Sequence, residues 1–303
     1  MKEVLSVSIG SAKRDHSVEI DLAGERFKIG RMGTDGSLER AAAIFSEYDG
    51  KVSAFGMGGI DMYLKAAGKR YYFREARKLG AAAGSTPIVD GSGLKGAIEA
   101  GVIRYLRDEH GLEFRDKKVL VTSAVDRWGL AEALRDEGCQ MIFGDLIYAL
   151  GVPVPIKRWS SLVMSIKILA PIAAQMPFSW LYPTGGEQER APKSEPSVER
   201  LYQWADIIAG DWQYVRKFMP RDMRGKWVIT NTTTPADVEL CASRGVELLV
   251  ATTPRFEGRT FGANVLEAVM VAYAGASGEL AEEEYLELLG TFGFKPDLSW
   301  LGP

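Results

Sequence analysis

The chain has 303 residues, enough for two ordinary domains or one large one. Its 46% hydrophobic and 25% charged residues suit a folded globular protein, and a formal charge of −3 leaves no cationic surplus to hold a nucleic-acid backbone. Two cysteines, Cys139 and Cys241, sit far apart in separate predicted elements, and His16 and His110 are the two histidines. A disulfide framework, a structural zinc site and a His-rich metal centre are thereby excluded, and a reducing cytoplasm fits.

The N-terminal apolar run is too short for a signal peptide and reads instead as a first strand over residues 4–9. Val18–Leu22 and Arg26–Ile29 flank Ala23-Gly24-Glu25 and predict a hairpin. Apolar residues at helical spacing predict a helix from Asp35 to Tyr48, followed by a strand at Val52–Phe55 that runs into Gly56-Met57-Gly58-Gly59. A second hairpin around Ala67-Gly68-Lys69, a helix over 74–83 and a strand at Pro87–Val89 come next. Asp90-Gly91-Ser92-Gly93 then leads into a long helix ending near Asp108. Residues 1–110 thus read as a smaller α/β domain carrying the substrate.

Residues 111–303 carry a clearer rhythm. Val119–Thr122, a helix over 129–137 and Gln140–Phe143 make a βαβ unit, which requires a parallel sheet. The rhythm resumes with strands at 206–209, 227–230 and 247–251 and a helix over 261–274. The expected architecture is α/β, a doubly wound and mainly parallel sheet preceded by the smaller domain. Between the halves of this rhythm lies an apolar insertion at 160–183 with Lys167 as its only charge. It reads as a kinked helix buried between domains, a lid over a ligand, or a segment resting on a membrane surface. Prolines at 171 and 177 argue against a transmembrane span. A polar loop is expected at 185–199.

In an open parallel sheet, ligands bind beyond the carboxyl ends of the strands. That rule selects the loops beginning at Ser123, Gly144, Gly210, Asn231 and Thr252. Dinucleotide binding uses glycines after the first strand, so that main-chain amides reach a diphosphate. Here the stretch is Ser123-Ala124-Val125-Asp126-Arg127-Trp128-Gly129, in which Gly129 alone remains. Asp126 would cap a helix but repel a phosphate, and Arg127 would offset it. Asp145 stands where a ribose-binding acid is expected, and Asn231 and Thr232 could meet the same ligand. The alternative is a capped helix that holds no nucleotide.

On the substrate side, Asp90 and Lys95 could orient a hydroxyl and accept its proton if burial lowers the Lys pKa. An N-cap with an exposed Lys is the plainer reading. Asp61, Lys65 and Lys69 are secondary candidates. Gly58 and Gly59 suit an anion cradle or a tight turn. Arg255 and Arg259, before a helix start, suit a carboxylate or phosphate, or else pair with Glu257.

The order of Gly58-Gly59, Asp90 to Lys95 and Val119 to Gly129 resembles the two-domain quinate/shikimate dehydrogenases, whose second domain is Rossmann-like. The layout is also similar to long-chain acyl-carrier-protein reductases. Proteins labelled quinate 5-dehydrogenase look similar around Asp90–Lys95 and Arg255–Gly262. The resemblance implies NAD or NADP as cofactor and Asp90 acting on the hydroxyl that is oxidised, with Lys65 and Lys95 both open as its partner. The degraded glycine turn departs from that pattern.

The leading expectation is an NAD(P)-dependent oxidoreductase acting on a hydroxyl or carbonyl of a small carboxylated or lipid-like substrate. The alternatives are a non-redox binding or regulatory protein that keeps the fold, and an enzyme acting on an apolar substrate at a membrane surface. A small molecule is the expected partner. Peripheral membrane contact and self-association stay open, and nucleic acid and a metal are not expected.

Overall fold

The computed structural model describes residues 1–176, 196–256, 259–260 and 262–302, with the backbone alone at Arg255, Phe256, Arg259 and Thr260. The first sheet is built from β1 (Lys2–Ser8), β2 (His16–Leu22), β3 (Glu25–Gly33), β4 (Ala54–Gly58) and β7 (Ile88–Val89), in the order β2-β3-β1-β4-β7. β2 and β3 are antiparallel and the remaining neighbours parallel. The expected first hairpin forms through a two-residue turn in which both Ala23 and Gly24 have positive φ, matching the twist of the flanking strands. Ala67 and Gly68 turn the same way between β5 (Tyr63–Ala66) and β6 (Lys69–Tyr72). Helix α1 (Leu38–Tyr48) begins behind Ser37, whose hydroxyl accepts from the Arg40 amide. Helix α2 (Arg74–Gly80) and the long α3 (Ser92–His110) complete this part.

The second sheet takes β8 (Lys118–Val121), β9 (Gln140–Phe143), β10 (Ile207–Gly210), β11 (Trp227–Thr230) and β12 (Leu248–Ala251) in the order β12-β11-β10-β8-β9, all parallel. Helix α4 (Trp128–Asp136) makes the β8–β9 crossover. The chain then returns to the other side of β8 to begin β10, so the winding reverses between β8 and β10. This is the mainly parallel α/β arrangement expected from the rhythm of the sequence. Features with no counterpart in that expectation include an antiparallel sixth strand, Asp297–Trp300, beside β12; the helix Glu282–Thr291; and a short hairpin pairing Arg255–Phe256 with Arg259–Thr260.

The 160–183 insertion is a helix, Trp159–Ala173, with Pro171 in its last turn; residues 177–183 lie outside the described ones. It is not buried all round, as the first reading of the insertion expects. Leu162, Ile166 and Ala170 face the core while Met164, Ile168 and Ile172 stand more than half exposed. Trp159 stacks on Trp128 at 4.6 Å. Of the expected polar loop, residues 196–199 instead open the helix Pro196–Trp204, and 185–195 fall outside the described residues.

The two sheets share one apolar core. The helix Ala263–Ala274 is apolar nearly all round, as a fully buried helix must be. It follows the last parallel strand of the second sheet, yet it packs on β1 and β4 of the first. Lys2 Nζ reaches back to its C-terminal carbonyls at Ala272 and Tyr273, both at 2.9 Å. Its N-terminus fits because the first sheet is glycine-lined there. A Cβ at Gly56 would lie 2.7 Å from the Asn264 carbonyl oxygen, and one at Gly91 2.7 Å from the Asn264 nitrogen. Gly91 also has φ +96°, which only glycine adopts freely. Gly91→Ala is therefore expected to cost roughly 2–4 kcal/mol in urea unfolding, from strain and overpacking together.

Glu267 on this helix is buried between the two halves. It accepts from the Gly91 amide and from the Tyr285 hydroxyl, both at 2.5 Å. Burial, and then the charge of Asp90, push its carboxyl up to about 8. The folded chain thus keeps a proton there that the unfolded chain releases near pH ~4.3. This group's contribution to stability accordingly falls as pH rises from about 5 to about 9. Glu267→Gln is expected to remove that fall, as measured by urea unfolding at both ends of the range.

Candidate functional site

The loops after β1, β4 and β7 of the first sheet face those after β8, β10, β11 and β12 of the second across a cleft of ≈ 420 Å³. That size suits a small organic molecule. Its floor is a cluster of charges (Asp61, Lys95, Glu99, Asp126, Arg127 and Asp211) drawn from both sheets.

Lys95 lies one turn into α3. Its ammonium sits 2.8 Å from Asp61 and 3.1 Å from Asp126. Arg127, 7% exposed at the start of α4, is enclosed by Glu99 at 3.1 Å, Asp211 at 3.0 Å and Asp126 at 3.2 Å. Two cations thus face four carboxyls in a space largely closed to water, and the surplus of negative charge disfavours ionising all four. Burial holds the Asp61 carboxyl well above the usual carboxylate range; the Asp126 charge adds to this, and Lys95 opposes it. Glu99 is raised as well, by burial. Burial acts the same way on Asp126, but Arg127 and then Lys95 outweigh it and hold that carboxyl below the range. Burial would strip Lys95 of its proton, yet Asp126 and Asp61 raise the ammonium above its ordinary value. The expectation that burial lowers the Lys95 pKa is corrected on this point. Lys95 is a fixed cation and donor, and Asp61 is the group able to exchange a proton near neutral pH.

Asp90, at the end of β7, lines the same cleft but does not pair with Lys95. Its carboxylate accepts from the Ser92 hydroxyl at 2.7 Å, the Ser92 amide at 3.1 Å and the Met62 amide. Lys65 is exposed, pairs with Glu282 at 3.0 Å and does not line the cleft. Gly58 and Gly59 line it, but Gly58 leaves room for Ser8 and Asn264, and Gly59 turns the chain at φ +76° against Ile9. The side chains of Arg255 and Arg259 lie outside the described residues.

The residues expected around a diphosphate are engaged otherwise. Asp145, in the short helix Asp145–Tyr148, accepts from the Val125 amide at 2.8 Å. Its carboxylate therefore occupies a main-chain donor that would otherwise face a phosphate. Burial pushes it up to about 6, against the pull of the Val125 and Ala124 amides. Where the winding reverses, the two strand ends are tightly packed. A Cβ at Gly210 would fall 2.1 Å from the Thr122 hydroxyl, and Ser123 Oγ accepts from the Asp211 amide at 3.1 Å. Gly129 serves helix packing instead, since a Cβ there would lie 3.1 Å from the Gly96 carbonyl of α3. Asn231 spans the next loop: its oxygen accepts from the Trp212 amide at 3.0 Å and its amide donates to Asp211 at 2.8 Å. Thr232 lines the cleft beside it. A diphosphate over the β8–α4 turn would have to displace Asp145 from the Val125 amide and share the space with Arg127 and its carboxylates.

Sequence reasoning did not single out Glu99, which lies one helical turn beyond Lys95 and on the same face of α3. That i, i+4 spacing was the signal available. Asp211 lay in a loop that the strand-end rule selects, without a role assigned to it.

Comparison with known proteins begins with families. A model described as Domain of unknown function (DUF8754) matches residues 93–301, most of the chain. The chain belongs to that family. A second model, Domain of unknown function (DUF8753), matches residues 3–90. The DUF8754 match thus begins within the first turn of α3 and takes in the whole second sheet. No curated protein matches the chain. Among solved structures it is similar to L-tryptophan dehydrogenase from Nostoc punctiforme, at 11% identity and TM-score 0.39 over 96% of this chain and 80% of that one. It is similar to an NAD-dependent malic enzyme from Thermotoga maritima at 11% and 0.37, over 97% and 85%. A galactofuranose binding protein stands at 12% and 0.36, over 99% and 95%. Dehydrogenases and a sugar-binding protein are thus alike at the same distance, and neither decides what this DUF8754 chain does. Among the described residues no helix is long and apolar enough to cross a membrane.

The charge cluster makes a direct prediction. Arg127→Met leaves Glu99, Asp126 and Asp211 without their shared cation, and is expected to cost about 3–5 kcal/mol in chemical denaturation.

Proposed function

We propose that the chain binds a small, hydroxylated, carboxylate-bearing molecule in the cleft and does so without a dinucleotide. In this reading residues 1–110 supply Asp61, Asp90 and Lys95, and residues 111–303 supply Asp126, Asp211, Asn231 and Thr232. Two observations support it: Arg127 stands at the crevice between β8 and β10 held by Glu99 and Asp211, and the Val125 amide is taken by Asp145.

The cleft's chemistry favours hydroxyls. Asp61 takes or gives a proton near neutral pH, and Lys95 remains a charged donor beside it. Thr232 adds a neutral hydroxyl to the lining, beside Asn231. A carboxylated cyclitol, the substrate class implied by the likeness to quinate/shikimate dehydrogenases, offers hydroxyls and one anionic group to such a surface. The oxidoreductase reading needs room for a nicotinamide dinucleotide at the winding reversal. It would require Arg127 to leave its three carboxylates, which is costly for a buried cation.

Calorimetric titration with quinate and with shikimate tests the first half, and NADH or NADPH fluorescence the second. Saturable binding of a cyclitol is expected, at least about tenfold weaker in Asp61→Asn. No nucleotide binding is expected up to about 1 mM, well above typical cofactor affinities. Saturable NADH or NADPH binding overturns the proposal and returns the chain to the dehydrogenases. Failure of both cyclitols to bind removes the ligand class.

A further inference from the structure

Among the residues that the N-terminal part brings to the cleft, two arginines converge over a glycine. Arg14 closes a short 3-10 turn, Ala12–Arg14, just beyond β1, and Arg31 lies near the end of β3. A Cβ at Gly10 would lie 2.5 Å from Arg14 Nη2, 3.4 Å from Arg31 Nη2 and 3.3 Å from Ser8 Oγ. Both guanidinium tips therefore meet over one small space, no more than about 6 Å apart, where like charges repel. Gly10, Arg14 and Arg31 all line the cleft.

The two arginines are held from behind. Arg31 Nη1 donates to Asp15 at 2.7 Å and to the Ser11 carbonyl at 3.1 Å. Asp15 in turn accepts from the Gly33 amide at 2.6 Å, and Asp35 accepts from the Ala12 amide at 2.8 Å. Neither acid lines the cleft. Arg31 Nη2 and the whole Arg14 guanidinium, by contrast, make no hydrogen bond or ion pair among the described residues. Burial, and then the Arg14 charge, lower the Arg31 pKa from its ordinary value. Arg31, largely buried, keeps Asp15 as its ion-pair partner, and the exposed Arg14 brings a second cation beside it; an anion entering between the two forks would meet both. Gly10 has no positive φ to explain it; the missing side chain keeps the space beneath the two forks open.

We infer that Arg14, Arg31 and Gly10 form an oxyanion subsite that holds a carboxylate or phosphate group of the molecule occupying the cleft. Within the reading given above it takes the ligand's anionic end, leaving the hydroxyls for Asp61 and Lys95; the anion itself can be tested without that reading.

The test titrates the full chain with inorganic phosphate and, separately, with malonate, at constant ionic strength so that screening does not vary. Saturable binding of at least one anion is expected. Arg14→Gln should weaken it by about tenfold or more, the scale of a lost charge-assisted pair. Gly10→Ala, which sets a methyl group in the space, should do the same. Arg14 has no partner to lose, so the Gln variant is expected to keep its thermal unfolding midpoint. Binding of phosphate but not malonate identifies a phosphorylated ligand, and the converse a carboxylated one. Absence of saturable binding to either anion, or affinity unchanged in Arg14→Gln, overturns the inference. Anion binding that survives while no cyclitol binds sinks the ligand class proposed above and leaves this subsite standing. Cyclitol binding indifferent to Arg14→Gln does the reverse.

Discussion

A guanidinium removed from water is stable only among anions, and Arg127 has three. Glu99 comes from α3, Asp126 from the turn after β8, and Asp211 from the turn after β10. The charge therefore ties a long helix to the two strands between which the winding of the second sheet reverses. In open parallel sheets this reversal is where a crevice opens and a ligand enters. Here a salt-bridged side chain stands at that point, on the wall of the cleft shared with the first sheet. Replacing such a network by apolar residues is often harmless to stability, whereas removing one partner is not. Its position at a site, more than any stabilising effect, is what makes it informative.

The second constraint is steric. The helix Ala263–Ala274 leaves the second sheet and packs on the first, which brings the two sets of strand ends to face one another. That packing depends on the absence of side chains at Gly56 and Gly91, where any Cβ would overlap the backbone at Asn264 at 2.7 Å. Glu267 and Lys2 add polar ties at the middle and C-terminal end of the same helix. The cleft is thus a product of helix packing, and its chemistry follows from which loops that packing opposes. Excess negative charge gathers at Asp61, Glu99, Asp126 and Asp211, while positive charge gathers at Arg14 and Arg31. A ligand with hydroxyls at one end and an anion at the other matches this polarity.

Much of the architecture was legible along the chain. Short apolar runs at 119–122, 140–143 and 227–230 are strands because buried parallel strands need continuous apolar residues. Gly24 and Gly68 mark turns because glycine tolerates positive φ, and each draws the alanine before it into the same region. Thr234 and Asp237 form a capping box at the start of the helix Pro235–Ser243, with Pro235 as its first residue. The last antiparallel strand, Asp297–Trp300, was not legible, since its four residues include Asp and Ser and its strand character comes from pairing with β12. Of the candidate site, the loops and residue types were legible, while its role stays a proposal. Asp61, Asp90, Lys95, Asp126, Asn231 and Thr232 do line one cleft.

The amino-acid sequence by itself determined the α/β class, the parallel second sheet and the strand-end loops, because period and turn chemistry act over a few neighbouring residues. Only the tertiary structure decided what those loops do. Whether Lys95 gains or loses affinity for its proton depends on Asp126 and Asp61, which lie 31 and 34 positions away in the chain. Whether the Val125 amide is open to a phosphate depends on Asp145, 20 positions on. Charges and donors act through space, and the distances that govern them are set when separate elements pack together.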